Sequence, residues 1–227
     1  MAELPKTMKA WRFARRGKAK DVLELKTNAP IPSAPKVGEV MIRVSYVAIN
    51  PADYKLMEHW IPFRYPATPS IDFVGEVVQI GNLASSSPVN VNVGMIVAGS
   101  VPTMQIVRGV GVLAEYIVLP AQAVVEKPRD LQETVAAGLL GVAGQTSAVV
   151  VEKAILQKGD RVLLNGASGG VGCILVQVLC EMGVRVTGVC SSRNEAVVRK
   201  LGADEVRPFD LNIFQSCHIS DSLLSNR

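Results

Sequence analysis

"LNGASGGVGCILVQVLCEMG", residues 164–183, sets Gly166, Gly169, Gly170 and Gly172 between an apolar run and an amphipathic segment. Glycine inside a helix or strand costs stability, so this density needs a cause. One is a tight turn; another is a ligand that must touch the backbone. The flanking residues decide between them. "KGDRVLLNG" (158–166) reads as a turn and a short buried strand. From Val171 the apolar residues fall at 171, 174, 175, 178, 179 and 182, which predicts a helix with one apolar face, ended by Gly183. "VRVTGVC" (184–190) is a second strand, "NEAVVRKLG" (194–202) a second helix, and "ADEVRPF" (203–209) starts a third strand. The order β-α-β-α-β joins parallel strands through crossovers.

A glycine-rich turn that leaves a strand and opens a helix suits the phosphates of a dinucleotide. Missing side chains let the pyrophosphate approach, and the helix N-terminus offers free N–H donors and partial positive charge. The G-x-G-x-x-G pattern appears as Ala167-Ser168-Gly169-Gly170-Val171-Gly172, with alanine in the first place. These six are the expected cofactor-binding residues of the turn. The end of the next strand reports which dinucleotide. An Asp or Glu there would hold a 2′-hydroxyl. The chain has Ser191, Ser192 and Arg193 after Cys190, and a guanidinium with two hydroxyls suits a 2′-phosphate, hence NADPH. Ser192 and Glu195 also spell a helix capping box, and the two readings are compatible.

Ahead of this unit the pattern is different. Val40, Ile42, Val44 and Tyr46 alternate with Met41, Arg43, Ser45 and Val47, the period of a half-buried strand. "IDFVGEVVQIG" (71–81) is another strand, and 101–128 supplies two or three more. The first 125 residues or so read as a β-rich barrel or sandwich, followed by one Ala/Val/Leu-rich helix over 132–156.

Composition permits this α/β architecture. Of 227 residues 48% are apolar and 19% charged, an ordinary globular balance with room for a core. The formal net charge is +4, spread along the chain. The densest basic run, Arg12 to Lys20, lacks interleaved aromatics, so it reads as a solvated hairpin end and no nucleic-acid partner is expected. The cysteines at 173, 180, 190 and 217 form no CxxC pair, which favours reduced thiols and a cytoplasmic location, with an organelle left open. Two charge-free stretches, Thr134–Val151 and Val162–Cys180, are broken by glycines and polar residues; no membrane span is expected.

With these motifs the chain resembles the medium-chain dehydrogenase/reductase superfamily, on its zinc-independent quinone oxidoreductase side, and especially the alkenal (enone) reductases and chloroplast-envelope quinone oxidoreductase-like proteins. The resemblance rests on "VSYVAINPADYK" (44–55), "PATPSIDFVGEVVQIG" (66–81), "AEYIVLP" (114–120), "GVAGQTSA" (141–148), "GDRVLLNGASGGVG" (159–172) and "LGADEV" (201–206). It implies a β-rich GroES-like catalytic domain over 1–130 and the first half of a Rossmann domain over 131–210. It implies hydride transfer from NADPH to a small quinone or enone. Zinc members place Cys where this chain has Asn50 and a His-Glu pair where it has Ile71-Asp72, so no metal site is expected.

The resemblance also carries individual residues. Thr146 matches a threonine beside the nicotinamide, and Asn50 a polar residue near ribose or substrate. Lys55 would contact cofactor or a developing enolate, with a solvated lysine as its alternative. Tyr54 is either a proton donor or packing, and His59 a surface loop residue. Asn50, Tyr54 and Lys55 are thus the candidate catalytic residues. Two departures stand out. Ser70 replaces a glycine usual in this block, and after Val206 the segment Arg207-Pro208-Phe209 and the serine-rich 211–227 match nothing in the family. The family's second Rossmann half has no counterpart. The expectation is a shortened chain with weak NADPH binding, little turnover, and an edge strand at Val162–Leu164 through which copies could associate. The alternatives are a non-catalytic nucleotide-binding or structural remnant and a trans-acting enoyl reductase.

Overall fold

A computed structural model describes residues 4–58, 64–82 and 90–209. His59, Cys217 and the segment 211–227 lie outside the described residues. By its contacts the chain divides into two units, Met1–Gln145 and Thr146–Arg227. The break falls later than the 130/131 boundary expected from sequence, so the first helix after residue 131 lies with the first unit.

In the first unit, β1 (Thr7–Arg12) pairs antiparallel with β2 (Glu24–Pro30), with helix α1 (Ala19–Val22) between them. A five-stranded antiparallel sheet follows the order β6-β3-β4-β5-β7, with β3 Glu39–Ala48, β4 Asp72–Ile80, β5 Ile96–Ser100, β6 Tyr116–Pro120 and β7 Val124–Glu126. Helices α2 (Pro51–Glu58) and α3 (Thr103–Val107) are the insertions between strands. The core is Val40, Ile42, Phe73, Val77, Val97 and Leu119, all at 0% exposure. Each such side chain contributes about 1.5–3 kcal/mol by leaving water.

Strand β3 departs from simple alternation. Val40, Met41 and Ile42 are all buried, while Tyr46 is 47% exposed. Register shifts between Met41 and Ile42 and between Val44 and Tyr46 cause this, because a bulge resets which face the next side chain takes. Gly75 lies opposite the second bulge. A Cβ there would overlap the Arg43 carbonyl oxygen and sit 2.8 Å from Ile42 Cγ2.

The expected single helix over 132–156 is two. Helix α4 (Glu133–Leu139) and helix α5 (Val142–Ala154) meet at a bend of 52°. Ala136 and Ala137 of α4 pack with Val74 and Ala98 of the sheet. The bend has a tertiary cause. Val142 N donates to Asp72 Oδ2 at 2.9 Å, and a Cβ on Gly141 would overlap the Asp72 carboxyl group. No single helix among the described residues is long and apolar enough to cross a membrane, though the bent α4–α5 pair passes by length and composition.

The second unit is the expected β-α-β-α-β run. A parallel sheet of order β10-β9-β8 comprises β8 (Arg161–Asn165), β9 (Arg185–Cys190) and β10 (Glu205–Pro208), with helices α6 (Gly170–Glu181) and α7 (Glu195–Lys200) in the crossovers. The buried face of α6 is Gly172, Leu175, Val176 and Leu179. The stripe read from sequence is rotated from this: Val178 and Met182 are exposed and Val176 is fully buried. Gly172 sets the rotation, because α6 must rest that residue on the Gly166–Ala167 backbone. Strand β8 is an edge of the described sheet, and Leu163 is 57% exposed.

Candidate functional site

The glycine turn in the second unit folds on itself through backbone bonds. Gly166 N and Ala167 N both donate to Val189 O, at 3.0 and 2.9 Å, and Gly169 N donates to Gly166 O at 2.9 Å. Cys173 N to Gly169 O, at 2.8 Å, starts α6. The N–H groups of Gly170, Val171 and Gly172 therefore form the first helical turn, which has no intrahelical acceptors. The four glycines serve different ends. Gly166 has φ +76°, a left-handed conformation costly for side chains. At Gly172 a Cβ would overlap Gly166 O and lie 2.8 Å from Ala167 Cα, so that glycine is required by packing. Gly169 and Gly170 are exposed, and a Cβ on Gly169 would meet only Gly166 O, at 3.2 Å.

Alanine in the first motif place also has a reason. Ala167 is fully buried and faces Gly188 of β9, where an added Cβ would lie 3.0 Å from the alanine methyl.

Ser168 accepts a hydrogen bond from Asn194 Nδ2 at 3.0 Å, which ties the glycine turn to the loop after β9. The same loop carries Ser191 (half-buried) and Ser192 and Arg193 (both exposed). Arg193 makes no ion pair among the described residues. Helix α7 starts later than a cap at Ser192 would set it. Residues Ser192–Asn194 form a 3-10 turn, and the N-cap of α7 is Asn194, without a side-chain cap bond. Glu195 turns instead to Arg199, at 2.8 Å, one helical turn on. Thr146 is exposed on α5, and its neighbour Ser147 donates to Val171 O at 3.3 Å, which sets that part of α5 against the first turn of α6.

In the first unit "NPAD" explains itself at the start of α2. Pro51 takes the first helical position, where its missing N–H is harmless. Asp53 Oδ2 accepts from Asn50 N at 2.7 Å, the acidic half of a capping box. The Asn50 side chain is therefore free for another partner, and its Nδ2 donates to Asp72 Oδ2 at 2.8 Å. Asp72 is 1% exposed and accepts also from Ser100 Oγ at 2.7 Å and from Val142 N. Asp53, 4% exposed, accepts from Ser70 Oγ at 3.3 Å, and its Oδ1 has no partner among the described residues. Burial pushes this carboxyl upward, partly countered by the bonds from Asn50 and Ser70. Ser70 has φ +74°, which accounts for the glycine that the family resemblance leads one to expect there. Tyr54 is 44% exposed, so it is not a core residue, and Lys55 is exposed beside it on α2. No cluster of three or more metal-binding side chains occurs among the described residues.

Thus the fold gathers Ala167–Gly172 with Ser191–Arg193 in one unit, and Asn50, Tyr54 and Lys55 on one helix start in the other. Sequence reasoning missed Asp72, Ser100 and Gln145 as a hydrogen-bonded group, and Asn194 as the bridge to Ser168. Asn194 was within reach, directly after the three residues singled out. The others have no local signal, since Asp72 and Val142 are 70 residues apart.

The chain thus joins, in sequence order, a GroES-like β-rich unit and a parallel β-α-β-α-β unit with a glycine turn. Residues 36–129 match the alcohol dehydrogenase GroES-like domain. The chain is 35% identical over 216 residues to the trans-enoyl reductase pgmF of Aspergillus terreus, covering 89% of this chain and 59% of that protein. It is 35% identical over 188 residues to the chloroplastic quinone-oxidoreductase QR1 of Triphysaria versicolor, covering 78% and 54%. Among solved structures, the quinone oxidoreductase from Coxiella burnetii superposes with TM-score 0.76 at 29% identity, over 92% of this chain and 64% of that one. A mycobacterial protein complexed with NADPH superposes with TM-score 0.77 at 26% identity, over 92% and 61%. The chain belongs to the medium-chain dehydrogenase/reductase superfamily, with quinone oxidoreductases and enoyl reductases as its relatives. It spans somewhat more than half the length of the curated relatives it matches.

Proposed function

We propose that the chain carries the NADPH site and part of the substrate site of an oxidoreductase acting on a quinone or an α,β-unsaturated carbonyl. The observation that carries this reading is the turn 166–172 bonded through Ser168 to the loop holding Ser191, Ser192 and Arg193. The N–H groups of the first turn of α6 with the exposed Gly169 and Gly170 on one side, and an exposed guanidinium on the other, fit the pyrophosphate and the 2′-phosphate of one dinucleotide. NADPH supplies a hydride when bound. The chain's own residues then do three things. The first turn of α6 takes the pyrophosphate charge. Ser191, Ser192 and Arg193 hold the 2′-phosphate and disfavour NADH. Lys55 offers a positive charge, and Tyr54 a hydroxyl, to oxygen that becomes negative as a conjugated carbonyl accepts hydride. Metal assistance is not part of the proposal, because Asn50 and Ile71 stand at the ligand positions of the zinc members and Asn50 Nδ2 is bonded to Asp72.

The test is NADPH oxidation dependent on added enone or quinone, for the wild type and for Lys55→Met. The reading expects consumption that requires the acceptor and falls about tenfold or more in the variant. Acceptor-independent consumption, or an acceptor-dependent rate that Lys55→Met leaves unchanged, would count against it. Likeness to a trans-enoyl reductase favours a second reading, in which the enone is a thioester delivered by a separate carrier. A carrier-bound enoyl thioester reduced faster than the free enone would select it.

A further inference from the structure

We propose that Asp72 is a positioning residue that, through Ser100, locks the Gln145 amide so that its oxygen is the group left to select a ligand bearing N–H or O–H donors. The lock follows from which groups can donate. Asp72, as a carboxylate, only accepts. It takes Asn50 Nδ2 at 2.8 Å and Val142 N on Oδ2, and Ser100 Oγ at 2.7 Å on Oδ1. Ser100 has one hydroxyl proton, and Asp72 takes it. Toward Gln145 that hydroxyl can therefore only accept, so the amide must present its nitrogen. It does: Gln145 Nε2 donates to Ser100 Oγ at 3.1 Å and to the Leu140 carbonyl at 3.1 Å. Both N–H bonds of Gln145 are thus used, and its remaining capacity is the carbonyl oxygen. Asn50 has one N–H committed in the same direction.

Three features make the arrangement rigid. Asp72 is 1% exposed, so its bonds are shielded from competing water. Gly141 leaves no room for Asp72 to shift toward α5 without meeting backbone. Leu140 and Val142, at the bend between α4 and α5, supply two backbone groups of the network. The polarity of an exposed amide is therefore set by a buried charge two hydrogen bonds away. A fixed acceptor at Gln145 suits donors such as a primary carboxamide, a sugar hydroxyl or a phenol, and it repels a bare carbonyl or carboxylate. The identity of the donor rests on the oxidoreductase reading. Both the nicotinamide riboside half of the cofactor and a hydroquinone carry such donors.

The test uses the whole chain, labelled with ¹⁵N, and reads the side-chain amide protons of Asn50 and Gln145. Without ligand, the Gln145 pair should be protected from exchange, and Ser100→Ala should remove that protection while Ser100→Thr keeps it. Asp72→Asn should disturb both amides. Ser100→Ala carries the test if Asp72→Asn does not fold. Reduced nicotinamide mononucleotide and a 1,4-hydroquinone are then titrated separately, and the one that binds identifies the source of the donor. Gln145→Met should weaken that binding about three- to tenfold, the scale of one hydrogen bond. Unprotected Gln145 protons in the wild type, no binding of either probe, or equal binding by Gln145→Met would each overturn the proposal. Failure of NADPH to bind in preference to NADH would instead overturn the reading of the dinucleotide end, which these probes do not contain.

Discussion

Two glycines three positions apart should respond to alanine in opposite ways. Gly138 lies within α4, and a Cβ there would sit 3.7 Å from the Ala48 Cβ, an ordinary contact. Alanine lowers the backbone entropy of the unfolded chain and favours helix, so Gly138→Ala should stabilise by up to about 1 kcal/mol. At Gly141 the same methyl would overlap the carboxyl carbon and Oδ2 of Asp72 and lie 2.8 Å from its Cβ. Either the carboxylate or the start of α5 must move. Asp72 accepts from Asn50, Ser100 and Val142, and a hydrogen bond to a charged acceptor is worth about 1.5–3 kcal/mol. Such bonds are not additive within one network, so Gly141→Ala should cost about 3 kcal/mol or more. Urea unfolding followed by circular dichroism compares the two variants with the wild type at constant slope. A Gly141→Ala loss below about 1 kcal/mol, or equal damage from Gly138→Ala, would refute the packing argument.

Three further outcomes follow from strained or buried groups. Ile155, just past the end of α5, has φ +49° and is 84% exposed, so Ile155→Gly should raise stability by about 1 kcal/mol; an unchanged or lower melting temperature would contradict this. Ser70→Gly relieves φ +74° but loses the bond to Asp53, so it should be nearly neutral while Ser70→Ala destabilises; equal effects would show that the strain is not real. Asp53 is raised in the native state chiefly by burial, with the nearby Asp72 charge adding to it. Its stabilising contribution is therefore present at pH values below the unfolded carboxylate pKa and lost as pH rises through the native one. The stability of Asp53→Asn relative to wild type should accordingly improve from about pH 4 to pH 7, and a difference that does not vary with pH would contradict it.

What could be read in the sequence was what depends on neighbours along the chain. The strand, turn and helix around Gly166–Gly172 are contiguous, so their glycines and apolar spacing announced a β-α-β unit. The same holds for Asn50-Pro51-Ala52-Asp53, whose cap bond joins residues three apart in the chain. The bend between α4 and α5 was not legible, because its cause is a carboxylate on β4. The bulges in β3 were hidden for a similar reason, since register is settled by pairing with β4 and not by the alternation of Val40 to Val47. The face of α6 was misjudged by one position because Gly172 packs as a core residue, and apolar counting gives glycine no weight. The site divided along the same line: the phosphate-facing turn was visible, whereas Asp72, Ser100 and Gln145 converge only in the folded chain.

The most direct test of the account is a calorimetric titration of the chain with NADPH and with NADH, repeated for Arg193→Ala. If Ser191, Ser192 and Arg193 hold a 2′-phosphate beside the glycine turn, NADPH should bind about tenfold or more tightly than NADH, the scale of one charge-assisted hydrogen bond, and Arg193→Ala should narrow the difference. NADH binding as tightly as NADPH, or a difference that Arg193→Ala leaves unchanged, would contradict the account.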